Sequence, residues 1–247
     1  MKKQLHLIMP MGGHGSRFFN NGYVTPKPLL EIHKKPFFYW AIQSLKKFIP
    51  LASLTCVVLQ EHIDQFQIDE NIKTYFPEAN IIVIPQVLKG AVLTCMEGIC
   101  QIPENEPILF NDCDHAFLSK DFYDFCINEG FDSLDGALLS FESNEPKFSY
   151  LECDKNGMVL RTVEKEPIST HAICGAYYFR NKKLFKTAVA EYLSHCNYSE
   201  YYVSGVYNEL IKMNKRIGYF FLDKHITFGT PDEYQIAKQL EDFKELL

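Results

Sequence analysis

An α/β fold with a mostly parallel, mixed sheet and helices on both faces is predicted by three features of the sequence. Short apolar runs alternate with longer amphipathic stretches from the N-terminus to residue 141. This alternation is typical of βαβ units, whose parallel strands lie beneath helices. Beyond Pro146 two short strand patterns flank an Asp-Lys-Asn-Gly turn at 154–157, which predicts a hairpin. Hydrophobic residues make up 47% of the 247 residues and no linker divides them, so we expect one domain.

Each element is predicted from its hydrophobic pattern. Apolar runs of strand length predict β-strands over 4–10, 54–60, 80–85, 107–111 and 137–141. Apolar residues at helical spacing predict helices over 35–48, 62–75, 90–100 and 120–128. The same patterns then predict the hairpin strands 149–153 and 158–164, strands over 172–180 and 217–222, helices near 181–194 and 200–214, and a helix from Pro231 onward.

The charge balance limits the possible partners. The chain has 25 basic and 31 acidic residues, a net charge of −6, so it lacks the basic field that holds nucleic acid or an anionic membrane. Its apolar runs are far shorter than the roughly 20 residues of a membrane helix. We therefore expect no nucleic-acid and no membrane partner, and any phosphate site must be built from a few local cations.

Two features bear on location. The apolar stretch near the N-terminus is short and ends in a glycine-rich loop, which predicts a first strand rather than a signal peptide. No two of the eight cysteines have Cys-x-x-Cys spacing, and several lie inside apolar runs. We expect reduced thiols and a cytoplasmic protein.

The loop after the first strand has the composition of a polyphosphate site. Gly12, Gly13 and Gly15 let backbone N–H groups approach an anion closely. Arg17 adds a planar fork of donors, and Lys27 is held between two prolines that restrict the backbone. Neither the Walker nor the dinucleotide glycine motif occurs here. The alternative is a surface loop whose glycines only turn the chain.

Two carboxylates follow a later buried strand. Asp112 and Asp114 come directly after the apolar run ending at Asn111. The carboxyl end of such a strand lies at the crevice where open α/β sheets bind ligands. Carboxylate oxygens at that position suit Mg²⁺, which is commonly held by one or two acids together with substrate phosphates.

These segments resemble the sugar-phosphate nucleotidyltransferases, also called nucleoside-diphosphate-sugar pyrophosphorylases. The strings GGHGSR at 12–17, PKPL at 26–29 and KP at 35–36 match that family's N-terminal motifs in order, and GTPDEY at 229–234 matches the start of its last helix. The resemblance implies a Rossmann-like nucleotidyltransferase fold with a small embedded β-rich acceptor lobe. Residues 1–247 would form one domain, with a nucleotide-binding part at 1–145 and an acceptor-binding part at 146–247.

The resemblance also implies roles for individual residues. Arg17 would grip the β- and γ-phosphates of the nucleotide, and Lys27 would lie near its α-phosphate and the acceptor's phosphate. The nucleotide-binding residues would be Met11, Gly12, Gly13, Gly15, Ser16, Gln86, Gly90, Ala91 and Asp112. The acceptor-binding residues would be Lys165, Glu164, Gly175 and Tyr150.

The implied metal site departs from the family pattern. Asp114 aligns with the family's aspartate for Mg²⁺, but the second aspartate, two residues before the Gly-Thr pair, is here Thr227. Either Asp223 or Asp112 substitutes, or Asp114 and the substrate phosphates hold the metal alone, or activity is weak or lost. We expect Mg²⁺ as cofactor, with Asp114 and Asp223 as its ligands.

The predicted reaction is transfer of NMP from an NTP to a phosphorylated sugar or related polyol, giving an NDP-sugar and pyrophosphate. An amide at Gln86 is compatible with a pyrimidine base. In bacteria such sugars commonly supply surface-polysaccharide assembly, which the resemblance extends to this chain. Two alternatives stay open: a glycosyltransferase that uses the Asp112-Cys113-Asp114 string to hold a nucleotide sugar, and a non-catalytic nucleotide-binding regulator.

Overall fold

The centre of the fold is a nine-stranded mixed sheet. The structure is a computed structural model that describes residues 3–128 and 130–247. The elements of the first part are β1 (Leu5–Met11), α1 (Ser16–Phe19), β2 (Glu31–Ile32), β3 (Lys35–Pro36), α2 (Phe37–Lys46), β4 (Leu51–Leu59), α3 (Gln60–Phe66), α4 (Ile68–Tyr75), β5 (Asn80–Ile84), α5 (Ala91–Gly98) and β6 (Ile108–Asn111). A short 3₁₀ turn spans Lys27–Leu29.

The second part continues the sheet and adds further helices. Its elements are β7 (His115–Leu118), α6 (Lys120–Ile127), β8 (Gly136–Glu142), β9 (Ser149–Cys153), β10 (Val159–Glu164), β11 (His171–Phe179), α7 (Lys182–His195), α8 (Val203–Lys212), β12 (Ile217–Phe221), β13 (Lys224–Thr227) and α9 (Pro231–Ala237). Among the helices described, none has both the length and the apolar character needed to cross a membrane.

The sheet combines two pairing modes. Its main path runs β10-β9-β11-β6-β1-β4-β5, while β8 pairs with β11 and β12. Strand β1 is parallel to β4 and β6, as the alternating pattern of the first half predicts. Strand β11 runs antiparallel to β6, β8 and β9, with an irregularity in its β8 register between Ile173 and Tyr177. The predicted α/β class with a mixed sheet is confirmed.

Helices cover both faces because the strands are apolar on both sides. On β1, Leu7 and Met9 join one core cluster with residues of α2, α4 and α6, whereas Ile8 between them joins the opposite cluster with α5, α7 and α8. Alternate residues of a strand point to opposite faces, so one continuous apolar run supplies both cores.

Three local expectations were wrong or incomplete. The helix predicted over 62–75 is two helices, because Gln67 has a left-handed backbone (φ 48°) that ends α3 and starts α4. The helix from Pro231 ends at Ala237 and is followed by a 3₁₀ turn over Asp242–Leu246. Strands β7 and β13, which pair antiparallel, are absent from the sequence prediction. Both are only four residues long, too short for a clear pattern of their own.

Candidate active site

The loops that end β1, β5 and β6 meet at one edge of the sheet, where the carboxyl ends of parallel strands form a crevice. Two connected spaces open there. A cleft of about 610 Å³ lies against the glycine-rich loop, and a cavity of about 220 Å³ lies against β7, β11 and β13. Both are lined by Arg17, Ala91, Asp112, Asp114, Lys147, Glu164, Tyr202 and Gly229.

The three positions of the glycine-rich loop differ in how much room each leaves for a side chain, and only Gly15 also has a left-handed backbone. A Cβ added to Gly12 would lie 2.5 Å from Ile84 Cδ1. Gly15 has φ +64°, and a Cβ added to it would lie 2.9 Å from Lys27 Cβ. At Gly13, in contrast, no atom of the described residues lies within 4 Å of an added Cβ. The loop is therefore packed tightly against Lys27 on one side and open to the cleft on the other.

Gly90 connects the nucleotide side of the cleft to a distant segment. Its φ is +113°, and an added Cβ would overlap the backbone of Tyr201, lying 2.6 Å from the carbonyl oxygen. Backbone hydrogen bonds join the same segments, from Val92 N–H to Tyr201 O at 3.2 Å and from Tyr201 N–H to Lys89 O at 3.0 Å. This close approach holds the start of α5 against the loop that precedes α8.

Lys27 and Asp114 form an ion pair at the centre of the cleft. Lys27 Nζ donates to Asp114 Oδ2 at 2.8 Å, and both side chains are about one-quarter exposed, at 26% and 25%. Burial alone would lower the pKa of Lys27, but the Asp114 carboxylate raises it above its usual value. Burial would likewise raise the pKa of Asp114, and Lys27 lowers it instead. Each therefore keeps the other charged.

Asp112 occupies a different electrostatic environment two residues earlier. Burial, together with the negative charge of Asp114, raises the pKa of its carboxyl to about 7, and Lys27 offsets only part of this. Asp112 N–H donates to Gly175 O at 3.0 Å, and a Cβ on Gly175 (φ +93°) would lie 2.7 Å from Asp112 Oδ2. Glycine at 175 is thus what allows the carboxylate to lie against β11.

Asp112 and Asp114 are carboxylates, the kind of ligand that Mg²⁺ prefers. Within the described residues no group of three or more His, Cys, Asp or Glu side chains could hold a metal by itself. Asp112 and Asp114 nevertheless line both spaces, and Mg²⁺ commonly uses two carboxylates plus phosphates and waters. Asp223 lies elsewhere, because its Oδ2 accepts from Lys120 N–H at 2.6 Å at the start of α6.

Glu164 and Lys165 extend from the end of β10 beside the cavity. Glu164 Oε2 accepts hydrogen bonds from the hydroxyls of Ser149 and Ser204, the latter at 2.9 Å. Lys165 has a left-handed backbone (φ 58°), and its Nζ donates to Tyr202 Oη at 2.8 Å. The left-handed backbone at Lys165 therefore separates two consecutive charged side chains, so that Glu164 contacts the two serines and Lys165 contacts Tyr202.

The cavity also contains residues to which the sequence assigned no binding role. His225 and Thr227 on β13, together with His115 on β7, line it, as do Lys147 and Glu233. Lys147 Nζ bridges Glu145 Oε2 at 2.8 Å and Glu233 Oε1 at 2.9 Å. Glu233 lies in the GTPDEY string and Thr227 at the position of the family's second aspartate, but no single motif joins all five residues, which come from four separate stretches of chain.

Burial disfavours the charged form of both histidines of the cavity. Burial lowers the pKa of His115 to about 4 and that of His225 well below its usual value. A hydrogen bond with the backbone of Gly175 partly offsets this effect on the pKa of His115. Among residues 3–128 and 130–247, the buried Nε2 of His225 has no hydrogen-bond partner. A buried polar group without a partner costs about 1–3 kcal/mol.

The sequence as a whole matches a known family. A family model described as nucleotidyl transferase matches residues 6–241. The chain belongs to this family. It is accordingly an enzyme of the nucleotidyl-transfer kind, as its motifs predict, while a comparison with curated proteins finds no significant match.

Solved structures share the fold of this family member. A nucleoside-diphosphate-sugar pyrophosphorylase from Vibrio cholerae RC9 superposes with a TM-score of 0.82 at 24% identity, covering 95% of this chain and 100% of that one. An inositol-1-phosphate CTP transferase from T. maritima gives 0.73 at 12% identity, covering 100% and 95%. At these identities the likeness shows the fold, a Rossmann-like nucleotidyltransferase fold with an added β lobe.

Most of the predicted site residues of this family member lie together. The cleft is lined by Met11, Gly12, Gly13, Gly15, Ser16, Arg17, Lys27, Gly90, Ala91, Asp112, Asp114, Glu164 and Lys165, and the cavity adds Gly175. Three predicted residues are not brought to either space in the described structure: Gln86, Tyr150 and Asp223. Gln86 is exposed, and buried Tyr150 uses its hydroxyl to donate to Glu145 O at 2.7 Å.

Proposed function

We propose that the protein transfers a nucleoside monophosphate from an NTP to a phosphorylated sugar or related polyol, releasing pyrophosphate. The observation that carries this proposal is the shared wall between the two spaces. Asp112, Asp114 and Arg17 line both the glycine-loop cleft and the smaller cavity. Two substrates bound there would have their phosphates adjacent, which is the geometry that group transfer needs.

The cleft suits the triphosphate. The loop backbone at Gly12–Gly15 is open to it, and Arg17 is exposed, without an ion-pair partner among the residues described. Lys27 supplies a second cation whose charge is maintained by Asp114. In a protein of net charge −6, these local cations offset the repulsion between the two anionic substrates.

The reaction would be an in-line displacement. An oxygen of the acceptor's phosphate forms a bond to the α-phosphorus as the bond from that phosphorus to the bridging oxygen of the β-phosphate breaks, and pyrophosphate leaves. No protein nucleophile is required, since the acceptor is already an anion. The chain's contribution is to hold both phosphates in position and to neutralise charge through Arg17 and Lys27.

Mg²⁺ is the proposed cofactor, held by Asp114 and Asp112 together with substrate phosphates. When bound, it supplies positive charge that neutralises the phosphate oxygens. The family's second aspartate is replaced by Thr227, so we assign the additional carboxylate to Asp112 rather than Asp223. The pyrimidine preference rests on the Gln86 amide, which lines neither space, so the nucleotide panel below decides the base. The proposed use of the product is surface-polysaccharide assembly, and the proposed location of the enzyme is the cytoplasm.

Thermal stability with ligands tests nucleotide binding. The protein is heated with Mg²⁺ and each of ATP, CTP, GTP, UTP or dTTP, and separately with UDP- and GDP-sugars. A nucleotide at 100 times its Kd adds about 2.7 kcal/mol, a shift of roughly 5–10 °C for this size of domain. We expect one triphosphate to give this shift, Arg17→Ala to abolish it, and pyrophosphate to appear when the acceptor is added. Shifts by nucleotide sugars alone, with transfer or hydrolysis of the sugar, would instead support the glycosyltransferase alternative.

A pair of variants tests the metal assignment. Asp114→Asn removes a proposed ligand, whereas Asp223→Asn changes an acid that lies outside both spaces. We expect the Mg²⁺ concentration for half-maximal pyrophosphate release to rise at least tenfold in Asp114→Asn and to stay within twofold in Asp223→Asn. The reverse result would move the metal site to Asp223.

A further inference from the structure

Two consecutive tyrosines lie just before α8, and each contacts a lysine from another part of the chain. Lys89 has its ammonium over the Tyr201 ring, 4.7 Å from the centroid, and Nζ donates to the hydroxyl at 3.4 Å. Lys165 has its ammonium over the Tyr202 ring, also at 4.7 Å, and Nζ donates to that hydroxyl at 2.8 Å. The two pairs share one arrangement, but the second has the shorter and stronger hydrogen bond.

Only the second of these pairs belongs to the candidate active site. Tyr202 lines both the cleft and the cavity, and Lys165 lines the cleft. In the part of the chain that the structure describes, Tyr201 and Lys89 line neither space. Adjacent positions thus provide one tyrosine–lysine pair inside the site and a similar pair outside it.

Lys165 differs from two other lysines of the site in what holds its ammonium. Lys27 and Lys147 each pair with carboxylates, at 2.8 to 2.9 Å. Among residues 3–128 and 130–247, no carboxylate oxygen lies within 4.0 Å of Lys165 Nζ. Its neighbour Glu164 instead accepts hydrogen bonds from serine hydroxyls. Because a hydroxyl carries no net charge, Tyr202 holds the ammonium without cancelling its charge.

The backbones of both partners are fixed by their own hydrogen bonds. Lys165 has φ 58°, and its N–H donates to Phe148 O at 3.0 Å. Tyr202 N–H donates to Tyr192 Oη at 3.2 Å, and the residue before it is hydrogen-bonded to the segment 89–92. A long lysine side chain loses rotamer freedom when it binds a ligand, and a fixed partner reduces that loss in advance.

We propose that Tyr202 is a positioning residue that holds the Lys165 ammonium where the cleft meets the cavity. The undiminished charge of Lys165 would then face the phosphate of the acceptor, and Tyr202 would act only through Lys165. This inference rests on the proposed nucleotidyl transfer and on the acceptor-binding role that the family resemblance implies for Lys165. It adds a residue that none of the family motifs contains.

The first experiment tests the contact without any substrate. Limited acetylation with acetic anhydride, quantified by mass spectrometry of the digested protein, gives the rates at Lys165 and Lys89 in wild type, Tyr202→Phe and Tyr201→Phe. Each phenylalanine keeps the ring and removes only the hydroxyl. We expect Lys165 to react about threefold faster in Tyr202→Phe, because the lost hydrogen bond frees the amine, and at the wild-type rate in Tyr201→Phe. An unchanged rate at Lys165 in Tyr202→Phe would overturn the proposal.

The second experiment measures what the contact does for the acceptor. Pyrophosphate release is followed with Mg²⁺, the nucleotide that binds, and the fastest acceptor among hexose 1-phosphates, inositol 1-phosphate and glycerol phosphate. We expect Tyr202→Phe to raise the acceptor KM about tenfold, since a hydrogen bond to a charged group is lost, and the nucleotide KM to stay within about twofold. Tyr201→Phe is the matched control, with both KM values within about twofold of wild type. Equal acceptor KM values in the two variants would contradict the assignment.

A double-mutant cycle distinguishes a positioning role from a direct contact. In Lys165→Met the hydroxyl has no ammonium to hold, so adding Tyr202→Phe should change kcat/KM for the acceptor by less than about twofold. A further loss of about tenfold in that background would show that Tyr202 acts independently of Lys165, and would rule out the positioning role. The nucleotide-induced thermal shift shows in each variant that the fold and the nucleotide site are intact.

Failure of the underlying function has a different signature. Wild-type protein would then release no pyrophosphate with any acceptor of the panel. The acetylation rates would still report whether Tyr202 holds Lys165.

Discussion

The glycine-loop cleft and the smaller cavity are built in different ways. One side of the cleft comes from a single stretch between Pro10 and Pro28, in which Gly15 has a left-handed backbone and an added Cβ would lie 2.9 Å from Lys27 Cβ. The cavity takes side chains from β7, β9, β11, β13 and the start of α9, segments far apart in the sequence. Its wall includes the rings of His115 and His225, together with Gly175, where an added Cβ would lie 2.7 Å from Asp112 Oδ2.

This difference follows from what each space would bind. Every nucleoside triphosphate carries the same phosphates, and the proposed contacts to them are backbone N–H groups and fixed cations, which restrict the backbone geometry of this loop. Acceptors differ in their hydroxyls and substituents, which side chains can distinguish without any change in the backbone. Asp112 and Asp114, at the end of β6, lie where the two kinds of wall meet.

The largest expected effect tests the charged boundary between the two spaces. Lys27→Met should lower kcat/KM by about 10²–10³, or about 3–4 kcal/mol, since one preorganised electrostatic group is lost. Initial rates of pyrophosphate release measure it. Lys35→Met is the control, because Lys35 lies over the rings of Tyr39 and Tyr75 and, in the described structure, lines neither space. A Lys27→Met enzyme within tenfold of wild type would contradict the assignment.

A smaller effect tests whether the backbone of the cleft needs glycine where φ is positive and a Cβ has no room. Gly90→Ala should cost about 2–4 kcal/mol of unfolding free energy, because a left-handed backbone is strained for alanine and its Cβ would meet Tyr201. Urea denaturation measures the loss. Gly13→Ala is the matched control and should stay within about 0.5 kcal/mol, since its Cβ would be in open space relative to the described residues. Equal losses in the two variants would refute the comparison.

The smallest expected effect concerns the acceptor side. Thr230 caps the N-terminus of α9. Its Oγ1 accepts a hydrogen bond from Glu233 N–H at 3.3 Å, and Glu233 Oε2 accepts one from Thr230 N–H at 3.0 Å. Thr230→Ala should lower the free energy of unfolding by about 1 kcal/mol, or Tm by roughly 2–4 °C. Thr230→Ser should retain most of the stability that the cap contributes, because serine also has a hydroxyl. Differential scanning calorimetry measures Tm for both variants. An unchanged Tm in the alanine variant would show that the cap does not stabilise the start of α9, which lines the cavity.

Much of the fold was predictable because its signals are local. The strands over 4–10, 54–60 and 107–111 each contain an unbroken apolar run, which identifies a buried strand from sequence alone. The single helix predicted over 62–75 failed because amphipathic spacing continues through Gln67, whose left-handed backbone separates α3 from α4. Hydrophobic spacing does not report such a single backbone angle.

The sequence by itself determined most of the succession of strands and helices in the first half, the glycine loop with Arg17 and Lys27, and the acids after β6. It could do so because each depends on neighbouring residues, and phosphate chemistry restricts the residue types that can serve. Only the tertiary structure decided that Lys27 pairs with Asp114, that Asp223 instead lies at the start of α6, and that β13 pairs with β7 to bring His225 beside His115. These contacts join residues about 90 to 110 positions apart, and the strands that bring His225 to His115 are only four residues long, so no local pattern records them.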